Sequence, residues 1–395
     1  METRRTSLLP LLLATFFAIS LITNILGPLI PDIIRGYHVS LSVAALLPFS
    51  FFLAYGLCSI PAGMLVDRFR EKPVMLVAFG FVLVGALAFA LFRSYAVAIG
   101  SLFTIGVGMA LLQVAINPLL RVSGGEQNFA FNSVLGQLIF GLASFLSPWA
   151  YSYVAGRDGA GALAWIDLYW VFVGVAAVML VLIALARFPT VERSEEESAA
   201  SVSVYLSLLR RPTVLVYFFG VLVYVGTEQG LANWMSQFLA SYHGLDPQTA
   251  GAHAVAWFWG LMTAGCALGL VLLKIYDSRT VLMLFTVGTM VLLGGALFGN
   301  LTVARWAFPL LGFSISVMWS VIFSLALNSV PDHHGAFSGI LCTAIVGGAV
   351  VPYLIGLLGD RFGLRFGMLV LYGTLGYIFF LARIARPLIV NETRA

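Results

Sequence analysis

The chain has 395 residues, of which 61% are hydrophobic and only 10% are charged. A soluble globular domain is nearer to about one-half apolar and one-quarter charged, so this composition excludes a fold that faces water on all sides and indicates a polytopic membrane protein. The formal net charge of +4 does not indicate nucleic-acid binding, because the basic residues lie in short clusters between apolar segments.

Twelve apolar segments follow one another along the chain, each close to the roughly twenty residues that span a bilayer as a helix. They cover 7–35, 41–66, 73–92, 97–121, 128–153, 166–187, 212–241, 248–274, 280–298, 302–328, 334–358 and 365–388. The longest gap, 188–211, is acidic and Ser-rich, and its last residues, VSVYLSLLRR, predict an amphipathic helix on the membrane surface. The sequence therefore predicts an all-α membrane protein with six-helix bundles in residues 1–187 and 212–395, joined by a linker at 188–211.

The distribution of Lys and Arg predicts the orientation of these spans. With both termini in the cytoplasm, fifteen of the 21 basic residues face the cytoplasm and six face the outside. Cytoplasmic loops carry the excess of positive charge in membrane proteins. We therefore expect an integral protein of the cytoplasmic (inner) membrane, monomeric and surrounded by lipid, with both termini inside.

Three cysteines, Cys58, Cys266 and Cys342, lie inside apolar runs without the spacing of metal ligands, and they are interpreted as packing residues. The adjacent His333 and His334 lie in a loop and are interpreted as a solvated turn. The sequence contains no evident pair of acid and base, metal cluster or activated nucleophile, so it predicts neither an enzyme nor a bound cofactor.

Polar residues within the spans are the candidates for function, because a polar group in hydrocarbon is costly unless it finds a partner or a water-filled cavity. Those predicted to bind a substrate are Asn24, Gln113, Asn117, Asn132, Gln137, Asn233, Trp259 and Trp319. A single Asn or Gln can instead join two helices by hydrogen bonds, and this alternative stays open for Asn132 and Gln137. Asp32 lies nearer the end of its span and is interpreted as reaching the interface between membrane and water.

Glu228, in the stretch YVGTEQGLANW, is the only acidic residue deep in any predicted span, and no deep Lys or Arg is available as its counter-charge. Such a residue is a functional site by default, and a carboxyl group without a counter-charge can exchange a proton. The alternative is a neutral carboxyl that forms a hydrogen bond to another helix.

Carboxylate, amide and Trp side chains around one cavity suit the hydroxyls and the apolar face of a monosaccharide, which is the predicted substrate. An exporter of drugs or metabolites is the alternative.

The loop between the second and third spans reads GMLVDRFREK, from Gly63 to Lys72. It resembles the loop signature G-x-x-x-D-R-x-G-R-K of the major facilitator superfamily. Gly63, Asp67 and Arg68 match the signature, Arg70 stands where it has Gly, and Lys72 keeps its basic end. The resemblance implies that Asp67, Arg68 and Lys72 stabilise one access state of a gate. The alternative is a generic charged turn.

Four further stretches resemble the fucose–galactose–glucose/proton symporter branch of that superfamily. They are GFSISVMWSVIFSLAL in span ten, SGILCTAIVGGAVVPYLIGLLGD in span eleven, YVGTEQGLANW in span seven and AINPLL in span four. The resemblance covers most of the chain and implies sugar uptake by alternating access of two halves around a central site. Gly347 and Gly348 in span eleven are predicted to let this helix approach a neighbour or bend.

The sequence departs from that branch at positions where the branch binds sugar and protons. Gly27 stands at the position of a span-one Asp that carries protons in the fucose symporter, and Gln113 at that of a span-four Glu. Cys266 replaces a span-eight Arg, Ile315 a span-ten Asn and Trp319 a Phe. The resemblance thus implies sugar recognition without the usual proton relay. Three interpretations of coupling stay open: a proton at the deep carboxyl group, a sodium ion bound there by oxygen ligands, or uniport.

Overall fold

The computed structural model describes residues 8–123, 129–156, 163–188, 202–273, 275–330 and 333–386. All regular secondary structure within these ranges is helical. A helix satisfies its backbone hydrogen bonds within its own segment, as hydrocarbon requires because it offers no water to the peptide groups. The prediction of an all-helical chain is confirmed.

Six helices form the first part of the chain, with limits close to those predicted. They are α1 (Leu9–Thr23 and Leu26–Tyr37), α2 (Leu41–Phe69), α3 (Glu71–Leu91), α4 (Tyr95–Ser123), α5 (Phe129–Ala155) and α6 (Leu168–Leu185). A 3₁₀ turn, Ala164–Asp167, precedes α6. The predicted amphipathic helix is present as Val202–Leu209, and residues 189–201 of the linker lie outside the described residues.

Six further helices form the second part. They are α7 (Pro212–His243), α8 (Ala252–Leu272), α9 (Ser278–Phe298), α10 (Leu301–Ile315 and Met318–Leu327), α11 (His334–Thr343 and Gly347–Phe362) and α12 (Leu364–Met368 and Val370–Ile384). Within the described ranges, eleven helical segments are long and apolar enough to cross a membrane. The helix α8 has 21 residues and occupies the place of the predicted eighth span.

Three of these helices are interrupted near the middle of their spans, and α12 is interrupted at Leu369, close to its far end. The helix α1 breaks at Asn24 and Ile25, and α10 breaks at Ser316 and Val317. The two parts of α11 are joined by a 3₁₀ turn, Ala344–Val346. Irregular backbone at membrane depth is tolerated only inside the protein or beside a water-filled cavity, so these breaks indicate where a polar site lies.

The two groups of six helices pack against each other through α1 with α7, α2 with α11 and α5 with α8. We call the side where α1 begins and α12 ends the terminal side, and the opposite side the far side. A Cβ atom at Gly141 of α5 would overlap Thr263 of α8, and one at Gly348 of α11 would lie 2.9 Å from the ring of Phe52 on α2. Glycine therefore allows close contact between the bundles at mid-membrane.

Arg70 forms the whole connection between α2 and α3, and its backbone has φ 66° and ψ 172°. This region of backbone space is essentially restricted to glycine, and another residue there costs on the order of 1–3 kcal/mol. We expect Arg70→Gly to raise the free energy of unfolding by about 1 kcal/mol, because glycine's larger entropy in the unfolded chain offsets part of the relieved strain. Thermal unfolding of the purified protein in detergent measures this change.

Arg68→Gly is the matched control for that experiment, because Arg68 lies in the last turn of α2. Glycine in a helix costs about 1 kcal/mol relative to a good helix former. Both variants remove one positive charge from the same loop, yet their unfolding midpoints are expected to move in opposite directions. A midpoint of Arg70→Gly at or below that of the wild type would contradict the strain at Arg70.

Candidate functional site

Glu228 of α7 is partly buried at mid-membrane and accepts two described hydrogen bonds. The hydroxyl of Tyr224, one turn earlier on the same helix face, donates to Oε2 of Glu228 at 2.7 Å. Nε2 of Gln229 donates to Oε1 at 3.1 Å. Both partners are neutral, so these contacts orient the carboxyl group without compensating a negative charge. The group can therefore lose a proton only with help from a cation or from water that enters the cavity.

Two other helices approach this carboxyl group. Cys266 of α8 is exposed, interacts electrostatically with Glu228 and donates from Sγ to the carbonyl oxygen of Ser316 at 3.3 Å, where α10 is interrupted. The ring of Trp319 on α10 lies 6.0 Å from that of Tyr224. The helices α7, α8 and α10 thus form a polar and aromatic cluster around Glu228. Cys266 contacts a second helix while part of its surface stays exposed, so its interpretation as a packing residue stays a prediction.

Two further predicted residues, Asn233 and Trp259, carry polar atoms that are buried without a hydrogen-bond partner in the described part of the protein. Asn233 on α7 is 1% exposed and Trp259 on α8 is 2% exposed. Both side-chain atoms of Asn233 and Nε1 of Trp259 are unpaired. A buried unpaired polar group costs about 1–3 kcal/mol, so these groups are available to a ligand hydroxyl or to water. Ser236 on α7, which the sequence analysis missed, has a buried unpaired hydroxyl as well.

Asn24 joins α1 to α5. Its amide nitrogen donates to Oγ of Ser144 at 2.8 Å and to Oγ of Ser20 at 3.3 Å. The hydroxyl of Ser20 also lies 2.6 Å from the carbonyl oxygen of Phe140. This network is the kind of polar contact that holds two membrane helices together, so the amide nitrogen of Asn24 is already engaged within one bundle.

The remaining predicted binding residues lie on α4 and α5, and among the described contacts none joins Gln113, Asn132 or Gln137 to the Glu228 cluster. Gln113 is partly buried, Asn132 is buried and Gln137 is exposed. The side chain of Asn117 lies outside the described residues. The assignment of these four residues to a binding site stays a prediction.

The predicted gating residues at the α2–α3 loop have separate local environments. Nζ of Lys72 donates to the carbonyl oxygens of Ala184 and Ala186 at 2.8 and 2.7 Å, where a cation satisfies the free carbonyls at the C-terminal end of α6. The guanidinium of Arg68 lies 5.3 Å from the ring centroid of the adjacent Phe69. The side chain of Asp67 lies outside the described residues.

Gly347 and Gly348 each meet a different helix. A Cβ atom at Gly347 would overlap the backbone carbonyl of Leu222 on α7, and Gly348 faces the ring of Phe52 on α2 as described above. These glycines follow directly on the 3₁₀ turn that interrupts α11. At its break, α11 is therefore packed closely against α7 on one side and α2 on the other. The gating role of the two glycines stays a prediction.

Asp32 joins the two bundles at the far side. It is 2% exposed, and its Oδ2 accepts hydrogen bonds from the hydroxyl of Tyr151 on α5 at 2.7 Å and from Nε2 of Gln248, in the α7–α8 connection, at 3.2 Å. The carbonyl oxygen of Gln248 in turn accepts from the hydroxyl of Ser152 at 2.6 Å. The interpretation of Asp32 as reaching the membrane surface is wrong, because Tyr151 of its own bundle and Gln248 of the other bundle enclose it.

Residues 12–352 match the sequence model described as Major Facilitator Superfamily. The chain belongs to this superfamily. Among the relatives of this facilitator, the glucose/galactose transporter of Brucella abortus (strain 9-941) is 30% identical over 380 residues, which cover 92% of this chain and 90% of the relative. The L-fucose-proton symporter of Escherichia coli (strain K12) is 23% identical over 383 residues, which cover 89% of this chain and 87% of the relative.

Solved facilitator structures show the same fold. The crystal structure of the E. coli fucose:proton symporter superposes with a TM-score of 0.72 at 21% identity, covering 97% of this chain and 99% of the other. A bacterial homolog of the human lysosomal transporter Spinster superposes with a TM-score of 0.79 at 15% identity, with 98% of each chain covered. The prediction of twelve helices in two six-helix bundles is confirmed.

Cys266 offers a direct test of which side of this facilitator opens onto the cluster. Because Asp32 and its partners join the bundles at the far side, we expect Cys266 to react faster with a membrane-impermeant maleimide added at the terminal side. The experiment uses Cys58→Ser together with Cys342→Ser, so that Cys266 is the single remaining thiol. Right-side-out and inverted vesicles present the two sides, and the variant that also carries Cys266→Ser is the blank. Faster labelling from the far side would contradict the arrangement.

Proposed function

We propose that this protein is a secondary transporter that carries a hexose such as glucose, galactose or fucose across the cytoplasmic membrane by alternating access, in symport with a proton. The substrate class is supported by the names of two relatives, a glucose/galactose transporter and an L-fucose-proton symporter. The second name also supports a proton as the coupled ion.

The observation that carries this proposal is the environment of Glu228, a partly buried carboxyl group whose described partners are neutral. A lone carboxylate at membrane depth is costly, so the group is neutral or compensated when the protein reorients. Binding one proton during sugar import and releasing it into the cell meets this requirement. The wide ring of Trp319, which lies 6.0 Å from the ring of Tyr224, suits the apolar face of a pyranose. The unpaired amide of Asn233 suits its hydroxyls.

The orientation follows from the charge distribution of the loops. We infer that the terminal side faces the cytoplasm, which places both termini inside and the Asp32 cluster at the outer face. The bundles are proposed to comprise residues 1–187 and 212–395, with 188–211 as a cytoplasmic linker, and the protein is proposed to act as a monomer. These proposals make the described structure the inward-facing state.

Uniport of sugar is the second candidate. It is favoured by the neutral residues at Gly27 and Gln113, where the symporter branch that the sequence resembles has acids. Gly27 packs so closely on α7 that no longer side chain fits there in the described structure. A transporter with fewer titratable groups in its path has fewer ways to link a proton to its cycle.

Uptake of labelled glucose, galactose and fucose into proteoliposomes tests the proposal. Parallel assays apply no gradient, a proton gradient or a sodium gradient, and liposomes without protein give the background. Accumulation of one sugar above equilibrium under a proton gradient is the expected result. Equal uptake under all three conditions would instead establish uniport, accumulation under the sodium gradient alone would make sodium the coupled ion, and no uptake of any sugar would overturn the substrate class.

A further inference from the structure

At the far side, a charged contact between the two bundles joins the start of α2 to the end of α11. Oδ1 of Asp360, at the end of α11, accepts a hydrogen bond from the backbone N–H of Leu41 at 2.8 Å, and Oδ2 accepts from the backbone N–H of Ser42 at 2.9 Å. These two N–H groups belong to the first turn of α2, where a helix has no internal acceptors for them. The carboxylate therefore caps α2 from the other bundle, next to the local cap Ser40, whose Oγ accepts from the backbone N–H of Val43 at 3.4 Å. It also meets the positive end of the helix dipole.

The packing around this contact brings the two helices close together. A Cβ atom at Gly356 would lie 2.9 Å from the carbonyl oxygen of Leu41, and a Cβ atom at Gly359 would lie 2.9 Å from its Cδ1 atom. Both glycines lie on the face of α11 that meets α2, within one turn of Asp360. Small residues at this face let the carboxylate reach the backbone of the neighbouring helix, so the contact is part of the bundle interface.

The sequence around Asp360 repeats the sequence at the opposite end of α2. GMLVDRF (residues 63–69) ends α2, and GLLGDRF (residues 356–362) ends α11, so both fit the pattern G-x-L-x-D-R-F. Each copy is followed by a single residue with positive φ, Arg70 at 66° and Gly363 at 88°, before the next helix begins. The two copies share sequence and turn geometry but lie on opposite sides of the membrane. That is the arrangement expected of inverted repeats in this superfamily.

We propose that Asp360 is the switch residue of the far-side gate, which stabilises the far-closed state by capping α2 across the bundle interface. When the far side opens, the end of α11 separates from the start of α2 and both hydrogen bonds break. The contact therefore exists in one access state only, and its loss shifts the equilibrium towards the far-open state. The effect of a lost helix cap corresponds to about a fivefold change in the ratio of the two states.

Distance measurement between spin labels at the far side tests this proposal without any substrate. The labels are placed at Phe92→Cys and Trp306→Cys, which are exposed far-side positions in the two bundles, in a protein whose three native cysteines are replaced by serine. We expect Asp360→Asn to increase the population with the longer far-side distance about fivefold, and Asp360→Glu to restore part of the shorter one. Asp167→Asn is the matched control, because Asp167 pairs with Arg93 at 2.6 Å on the same side but within one bundle.

A second pair of variants removes the donor while the carboxylate stays. Leu41→Pro deletes one of the two N–H groups, and proline is favoured at the first position of a helix. Leu41→Ala removes the same side chain but keeps the N–H group. We expect the far-open population to be larger in Leu41→Pro than in Leu41→Ala. Wild-type distances in folded Asp360→Asn, or equal distances in the two Leu41 variants, would overturn the proposal whether or not the protein carries sugar.

Discussion

Replacing Glu228 with Gln is expected to abolish the accumulation of sugar against its gradient while exchange of sugar across the membrane continues. The amide has nearly the shape of the carboxyl group and can still accept from Tyr224 at 2.7 Å, but it cannot take up or release a proton. Sugar binding and reorientation then proceed without coupling, so the internal concentration rises only to the external one. Uptake into proteoliposomes under a proton gradient, followed by counterflow without a gradient, measures the two properties separately.

Tyr224→Phe is the matched variant for that experiment. It removes the hydroxyl that donates to Glu228 but leaves the titratable group in place, so we expect slower uptake that still accumulates sugar. Loss of one neutral hydrogen bond corresponds to about 0.5–1.5 kcal/mol, or roughly a two- to tenfold change in rate or affinity. Full accumulation by Glu228→Gln would contradict the coupling role and leave this residue as a structural or sugar-binding group.

The positions of the helices could be predicted from the sequence because each span is set by a local property, a run of apolar residues long enough to cross hydrocarbon. Glu228 could be singled out for the same reason, since a carboxyl group within such a run is costly wherever the helix packs. Glu228 and Trp319 are both predicted to line one cavity, and both lie on helices of the second bundle, α7 and α10. Local patterns thus carry the fold and the centre of the candidate site.

The remaining parts of the site depend on which residues meet across large separations in the chain. Asn24 contacts Ser144, 120 residues away, and Asp32 contacts Gln248, 216 residues away. Hydropathy cannot distinguish a polar residue that joins two helices from one that faces a cavity, because both lie in equally apolar segments. The position of Asp32 in the sequence predicts a side chain at the membrane surface, whereas its burial requires the two bundles to be closed at the far side.

Gly27→Ala is expected to disfavour closure of the far side and to lower the rate of sugar uptake by roughly five- to hundredfold. A Cβ atom at Gly27 of α1 would overlap the backbone carbonyl of Ala232 on α7, and a backbone atom in a helix cannot move aside as a side chain can. Overpacking of this kind costs typically about 1–3 kcal/mol. Because α1 and α7 belong to different bundles, the cost falls on the far-closed state, and it corresponds to roughly a five- to hundredfold shift towards the far-open state.

Two matched glycine variants separate this effect from a general loss of stability. Gly100→Ala on α4 meets nothing within 4 Å and is expected to transport like the wild type. Gly312→Ala on α10 would overlap the carbonyl of Phe258 on α8, within one bundle, so it should lower the unfolding midpoint without favouring either access state. Labelling of Cys266 from the two sides gives the readout, and we expect only Gly27→Ala to increase labelling from the far side.

Gly27→Asp extends the same argument to the acid that the symporter branch has at this position. The longer side chain cannot fit beside Ala232 in the described structure, so we expect it to trap the far-open state rather than to add a proton site. If Gly27→Asp instead transported sugar with stronger dependence on the proton gradient, α1 and α7 would have to pack less closely than the structure shows. The glycine would then reflect the loss of a proton carrier and not a requirement of gate closure.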